Sequence, residues 1–143
     1  MSKITEALQD KDNNKAYALS RDIAAKSAAT NEYYSMFDDF AGLLTAKSSY
    51  VRTRGFALCC AQARWDEEGK LKNAFPAMLA LLHDEKPTVV RQCIGALREV
   101  ALYRPELCGD MKAELEAIDL TRYKESVSSL IGKDADELLK LLE

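Results

Sequence analysis

The sequence predicts an all-α fold, a right-handed α-α superhelix of about four helical hairpins closed by a C-terminal helix. Three observations carry that expectation. Apolar residues recur at three- and four-residue steps almost from end to end. Glycine (6) and proline (3) are scarce, and they fall where helix boundaries are expected. The chain also repeats itself at a shift of 39 residues, a period that signals stacked helix–turn–helix units. The 143 residues fit one domain, 1–143, with no linker or low-complexity segment inside it.

Taken in order, Ile4 and Leu8 open the pattern, followed by Tyr17, Leu19 and Ile23 and then Tyr33, Phe37, Phe40 and Leu44. Val51, Gly55 and Leu58 continue it, as do Phe75, Met78, Leu79 and Leu82. Val90, Ile94, Leu97 and Ala101 form the clearest stripe. Met111, Leu115 and Ile118, then Val127 and Leu130, and last Leu138, Leu139 and Leu142 complete the series. Asp66, Glu67 and Glu68 read as acids in a first helical turn, where they oppose the helix dipole. Pro87 and Pro105 suit first helical positions. Gly132, then Asp134 and Glu137, read as a helix stop and a restart with a capping box. About nine helices result. The core expected from the stripes is Leu19, Ile23, Phe40, Leu43, Val51, Leu58, Leu79, Leu82, Val90, Ile94, Leu97 and Val127.

The 39-residue shift lays TAKSSYVRTRGFALCC (45–60) over DEKPTVVRQCIGALRE (84–99). Val51-Arg52 falls on Val90-Arg91, and Ala57-Leu58 on Ala96-Leu97. Tyr17-Ala18-Leu19 falls on Phe56-Ala57-Leu58. A looser copy, residues 123–130, matches 90–97 at a shift of 33. The stretch 75–101, FPAMLALLHDEKPTVVRQCIGALREVA, resembles a HEAT repeat of the PBS-lyase HEAT-like type. Pro76 lies inside its first helix, Asp84 at its turn, and Pro87, Val90-Arg91 and Ala96-Leu97 follow in its second. Residues 31–64 resemble it less closely, with Phe37 and Thr45 where the proline and the turn aspartate belong. The resemblance implies a curved stack whose second helices line a concave, partner-binding surface. It also implies that Asp84 and Arg91 bond within and between hairpins.

On the 88–102 helix, Arg91, Gln92, Gly95, Arg98 and Glu99 lie opposite the apolar side. Shifting back by 39 places Arg52, Thr53, Phe56, Cys59 and Cys60, then Asn13, Asn14, Tyr17, Ser20 and Arg21, on the same face. The candidate binding residues are therefore Tyr17, Arg21, Arg52, Phe56, Arg91 and Arg98, an aromatic-plus-guanidinium stripe of the composition found at binding hot spots. Packing of Tyr17 and Phe56 between repeats is the competing reading. An exposed stripe of this kind suits a protein partner or an acidic peptide, because arginine forks carboxylates.

The net charge of −3 is distributed unevenly, −2 over residues 1–45, +4 over 46–104 and −5 over 105–143. A nucleic-acid contact through Arg52, Arg54, Arg64, Lys70 and Lys72 is the second reading, ranked lower because the chain as a whole is acidic. Adjacent Cys59 and Cys60 point about 100° apart on a helix, and His83 has no ligand partner at metal spacing. No metal, cofactor or catalytic constellation is expected, and the thiols read as reduced packing residues. No apolar run approaches the ~20 residues needed to span a bilayer. A non-catalytic scaffold in the cytoplasm, with no membrane contact, is the expectation. The oligomeric state stays open, leaning to a monomer. The Leu138 to Leu142 cluster serves as the end cap or as a docking face for a second copy.

Overall fold

Hydroxyl and carboxylate side chains set several of the helix starts. Ser2 accepts from the Thr5 N–H at 3.1 Å, Asp12 from Lys15 at 3.2 Å and Ser48 from Val51 at 3.4 Å, each satisfying a donor that the first turn leaves unpaired. In the computed structural model, which describes residues 2–143, these caps open α1 (Lys3–Leu8), α2 (Asn13–Ser27) and α4 (Ser49–Ala61). The remaining helices are α3 (Phe37–Gly42), α5 (Lys70–Leu79), α6 (Pro87–Tyr103), α7 (Cys108–Glu116) and α8 (Glu125–Leu141). Short 3-10 turns follow α3, α4 and α5 and precede α3, α7 and α8. No strand occurs among the described residues.

Two sequence expectations about boundaries are corrected. The acids at 66–68 lie before α5 rather than in its first turn. Only Asp66 acts on it, its carboxylate accepting from the N–H groups of Lys70 (2.9 Å) and Leu71 (3.0 Å). Gly69 makes that approach with a φ of 74°, a left-handed conformation that glycine adopts without a side-chain clash. Gly132 does not stop a helix. It lies mid-way along the continuous α8, so no separate C-terminal helix exists and the described residues form eight α-helices rather than about nine.

The helices pair in sequence, α1 with α2, α3 with α4, α5 through its 3-10 extension with α6, and α7 with α8. The even-numbered helices also pack side by side in chain order, α2 on α4, α4 on α6 and α6 on α8. Between them and the odd-numbered helices lies one core, with Phe37, Phe40, Phe56, Leu58, Leu82, Ile94 and Leu97 among its fully enclosed side chains. Of the core expected from sequence, only Leu19 and Val127 are half-buried, and both pack against it.

Side chains of one hairpin bond the leftover carbonyls of the preceding one. Arg54 donates to Leu8 O at the end of α1 (2.8 Å), and Trp65 Nε1 to Ser27 O at the end of α2 (2.7 Å). Arg104 Nε reaches Ala63 O just past α4 (2.7 Å), and Tyr123 OH reaches Asp84 O (2.6 Å). The partners stand 38 to 46 residues apart, about one hairpin. Helix ends expose such orphan carbonyls, and here the next hairpin supplies the donors.

Two substitutions test this packing. Leu97 is fully buried on α6, so Leu97→Ala is expected to cost ~2–5 kcal/mol in a denaturant titration; a loss below ~1 kcal/mol would place it outside the core. A Cβ on Gly55 of α4 would stand 2.7 Å from Leu43 Cβ and 2.8 Å from Phe40 O. Alanine gains ~1 kcal/mol over glycine in an open helix, yet neither neighbour is a flexible side-chain tip. Gly55→Ala is therefore expected to destabilise by ~1–3 kcal/mol. An unchanged or raised midpoint contradicts the close approach of α3 to α4.

Candidate functional site

Because α2, α4, α6 and α8 lie side by side, their outward faces adjoin, and three clefts open along them. The first, of about 420 Å³, lies between α2 and α4 and is lined by Asn14, Tyr17, Tyr50, Thr53, Arg54 and Gln92, among others. The second, of about 280 Å³, is walled mostly by small residues, among them Ala24, Ala57, Ala61 and Gly95, with Arg98 and Glu99 at one side. A third, of about 310 Å³, lies between α6 and α8 and holds Arg91, Arg98, Asp134 and Glu137. The clefts share Ala57, Gln92, Gly95 and Arg98, so they form one groove across the four even helices.

α6 divides as its sequence predicts. Val90, Cys93, Ile94, Leu97 and Val100 are buried, whereas Arg91, Gln92, Gly95 and Arg98 are exposed. α2 likewise turns Asn13, Asn14, Tyr17 and Ser20 into the groove. Tyr17 is 56% exposed, and the Arg21 guanidinium stacks 5.9 Å from its ring centre. On α4 the expectation fails. Phe56, Cys59 and Cys60 lie in the core with at most 1% exposure, and Thr53, Ala57 and Ala61 line the groove, with Cys60 alone of the buried three touching its wall. Helix residues turn ~100° per position, so an offset of one residue between α4 and α6 exchanges the two sets. Phe56 is therefore withdrawn from the binding stripe. α4 lies between α2 and α6 with α3 behind it, and the middle of its groove side carries the small side chains of Thr53, Ala57 and Ala61.

The guanidiniums are also placed differently from the expected stripe. Arg52 donates to Ala46 O (3.0 Å), Lys47 O (2.9 Å) and Asp84 Oδ2 (2.9 Å), tying the turn of one hairpin to the turn of the next. It is held at these turns and does not line the three clefts. Asp84 in turn accepts from the Lys86 N–H at 2.9 Å. Arg91 pairs with Asp134 at 2.7 Å, and Arg98 with Glu137 at 3.6 Å. Both remain in the groove, with α8 neutralising them. Tyr50, 61% exposed on the first turn of α4, is the aromatic groove residue that the sequence reading missed, as it missed Ala57 and Ala61. The signal for Tyr50 was a lone aromatic directly after the polar pair Ser48-Ser49, off the stripe of Val51, Gly55 and Leu58.

The basic segment considered for nucleic acid is largely engaged inside the protein. Arg54 is 5% exposed. Arg64 bonds Ala28 O and Tyr103 OH and stacks 4.6 Å from the Tyr103 ring centre. Lys70 lies 5.2 Å from the Tyr34 ring centre and 3.9 Å from Asp38. Lys72 is the exposed member of the five.

Burial pushes the Cys59, Cys60 and Cys93 thiols well above their ordinary value. Protonated and enclosed, they are packing groups rather than nucleophiles. His83 bonds Glu114, joining α7 to the 3-10 turn after α5. Among the described residues no group of three His, Cys, Asp or Glu side chains converges as a metal site requires, and no helix is long and apolar enough to cross a membrane. Comparison of the chain with protein-family models, curated proteins and solved structures finds no match.

Proposed function

We propose that the protein is a non-catalytic binding module, a short HEAT-like solenoid that holds a segment of a partner protein along the groove of its even-numbered helices. The observation that carries the reading is the continuity of that groove. Three clefts share residues across α2, α4, α6 and α8, with exposed tyrosines at one end and arginine–carboxylate pairs at the other. Aromatic and arginine side chains supply much of the energy at protein interfaces, and the alanines between them let a partner backbone approach closely.

The solenoid reading draws on the 39-residue repeat, the chain-order packing of the even helices and the bonds one hairpin apart described above. In such stacks each hairpin contacts only its neighbours, and the second helices present an extended binding surface. The engagement of Arg52, Arg54, Arg64 and Lys70 within the protein favours a protein partner over a nucleic acid, since phosphate contacts need free cations in number.

A photo-crosslinking residue placed singly at Ala57 or Gly95, in the groove, and at Pro76 or Ala113, on the odd-helix side, tests the assignment in native lysate. Crosslinks to one protein from the groove positions alone, unchanged by nuclease, are expected. Crosslinks from the odd-helix positions, or products that vanish with nuclease, contradict it.

A further inference from the structure

Arg54 is the one strongly buried guanidinium among the described residues, 5% exposed at the cleft between α2 and α4. Its bonds run only to neutral acceptors, Leu8 O (2.8 Å), Asn13 Oδ1 (2.8 Å) and Asn13 O (3.4 Å). Arg52, Arg64, Arg91 and Arg98 each lie within 4.0 Å of a carboxylate, and Arg54 has no such partner among the described residues. Burial accordingly lowers its pKa, with no carboxylate to oppose the shift. A desolvated charge without a counter-ion is costly. A guanidinium carries five N–H groups, more than these acceptors engage.

The cleft beside it has about 420 Å³ of space and no acidic side chain in its lining. Tyr17 and Tyr50 stand exposed on its two helices, and Asn14, Thr53 and Gln92 offer uncharged hydrogen-bonding groups. The N-termini of α2 and α4 are already capped by Asp12 and Ser48. The cleft adjoins the rest of the groove at Ala57 and Gln92, next to which an extended segment would lie.

Resting on the groove reading above, we infer that this cleft recognises one Asp or Glu side chain within an extended segment of the partner, its carboxylate set against Arg54 and its backbone held between Tyr17 and Tyr50. The carboxylate supplies the counter-ion that Arg54 lacks, at a depth where solvent screens the pair weakly. The flanking rings provide the apolar contact that excludes water. The acidic feature of the partner is thus read by Arg54, while Arg91 and Arg98 remain engaged with α8.

The test is selection of binders from a random linear peptide library on the full-length chain, in parallel with the Tyr17→Ala/Tyr50→Ala double variant. Both tyrosines are exposed, so circular dichroism should show unchanged helicity. Peptides selected on the wild type are expected to share an acidic residue at one internal position. Changing that residue to its amide in the peptide should weaken binding about tenfold or more, and the double variant should weaken it by a similar factor. Because the acid is altered in the peptide, the result does not depend on an Arg54 variant folding. Selected peptides that lose binding to the double variant but share no acid, or tolerate the amide, overturn the carboxylate inference and leave the groove reading standing. Peptides that bind the double variant equally well overturn both, and a selection that enriches nothing overturns the inference.

Discussion

Each hairpin depends on its neighbour because one of its two helices is too short to stand alone. Isolated helices below ~12–15 residues are marginal in water, and α1, α3, α5 and α7 have 6, 6, 10 and 9 residues. Their apolar faces must be covered from outside, and the carbonyls left at the ends of short and long helices alike need donors. Arg54, Trp65, Arg104 and Tyr123 supply them across successive hairpins. A net hydrogen bond contributes only ~0.5–1.5 kcal/mol, but leaving such a carbonyl buried and unpaired costs ~1–3 kcal/mol. The bonds therefore constrain how hairpins meet more than they add stability.

That constraint shapes the groove. With α2, α4, α6 and α8 held side by side, α4 is enclosed on several sides and buries Phe56, Cys59 and Cys60 together with Val51 and Leu58. Thr53, Ala57 and Ala61, with the edge of Cys60, form the middle and end of its groove face, so small side chains dominate the wall there. The same enclosure leaves Arg54 desolvated. Its guanidinium joins α1 and α2 to α4, and this structural placement sets a cation beneath the cleft that contains Tyr17 and Tyr50.

Much of the fold was legible in the sequence because α6 is amphipathic in the simple sense. Its apolar residues Val90, Ile94 and Leu97 fall on one stripe and Arg91, Gln92 and Arg98 on the other, and burial follows that division. α4 is apolar nearly all round in its second half, so periodicity could not say which residues face the groove. Transferring the α6 pattern by 39 residues misassigned Phe56 through an offset of one position. Gly132 looked like a stop, yet glycine mid-helix costs only ~1 kcal/mol, and the burial of Ile131, Ala135 and Leu138 carries α8 through it. The partners of Arg52, Arg91 and Arg98 lie 32 to 43 residues away, and no local pattern distinguishes a guanidinium engaged at that range from a free one.

Amide hydrogen exchange on the wild type and Trp65→Phe tests most directly whether the hairpins are coupled through these bonds. Phenylalanine keeps the aromatic packing and removes the N–H that reaches Ser27 O. Coupling predicts faster exchange in the last turns of both α2 and α4, with α8 unaffected. A change confined to the residues around position 65 would contradict it, and the groove would then owe its shape to apolar packing alone.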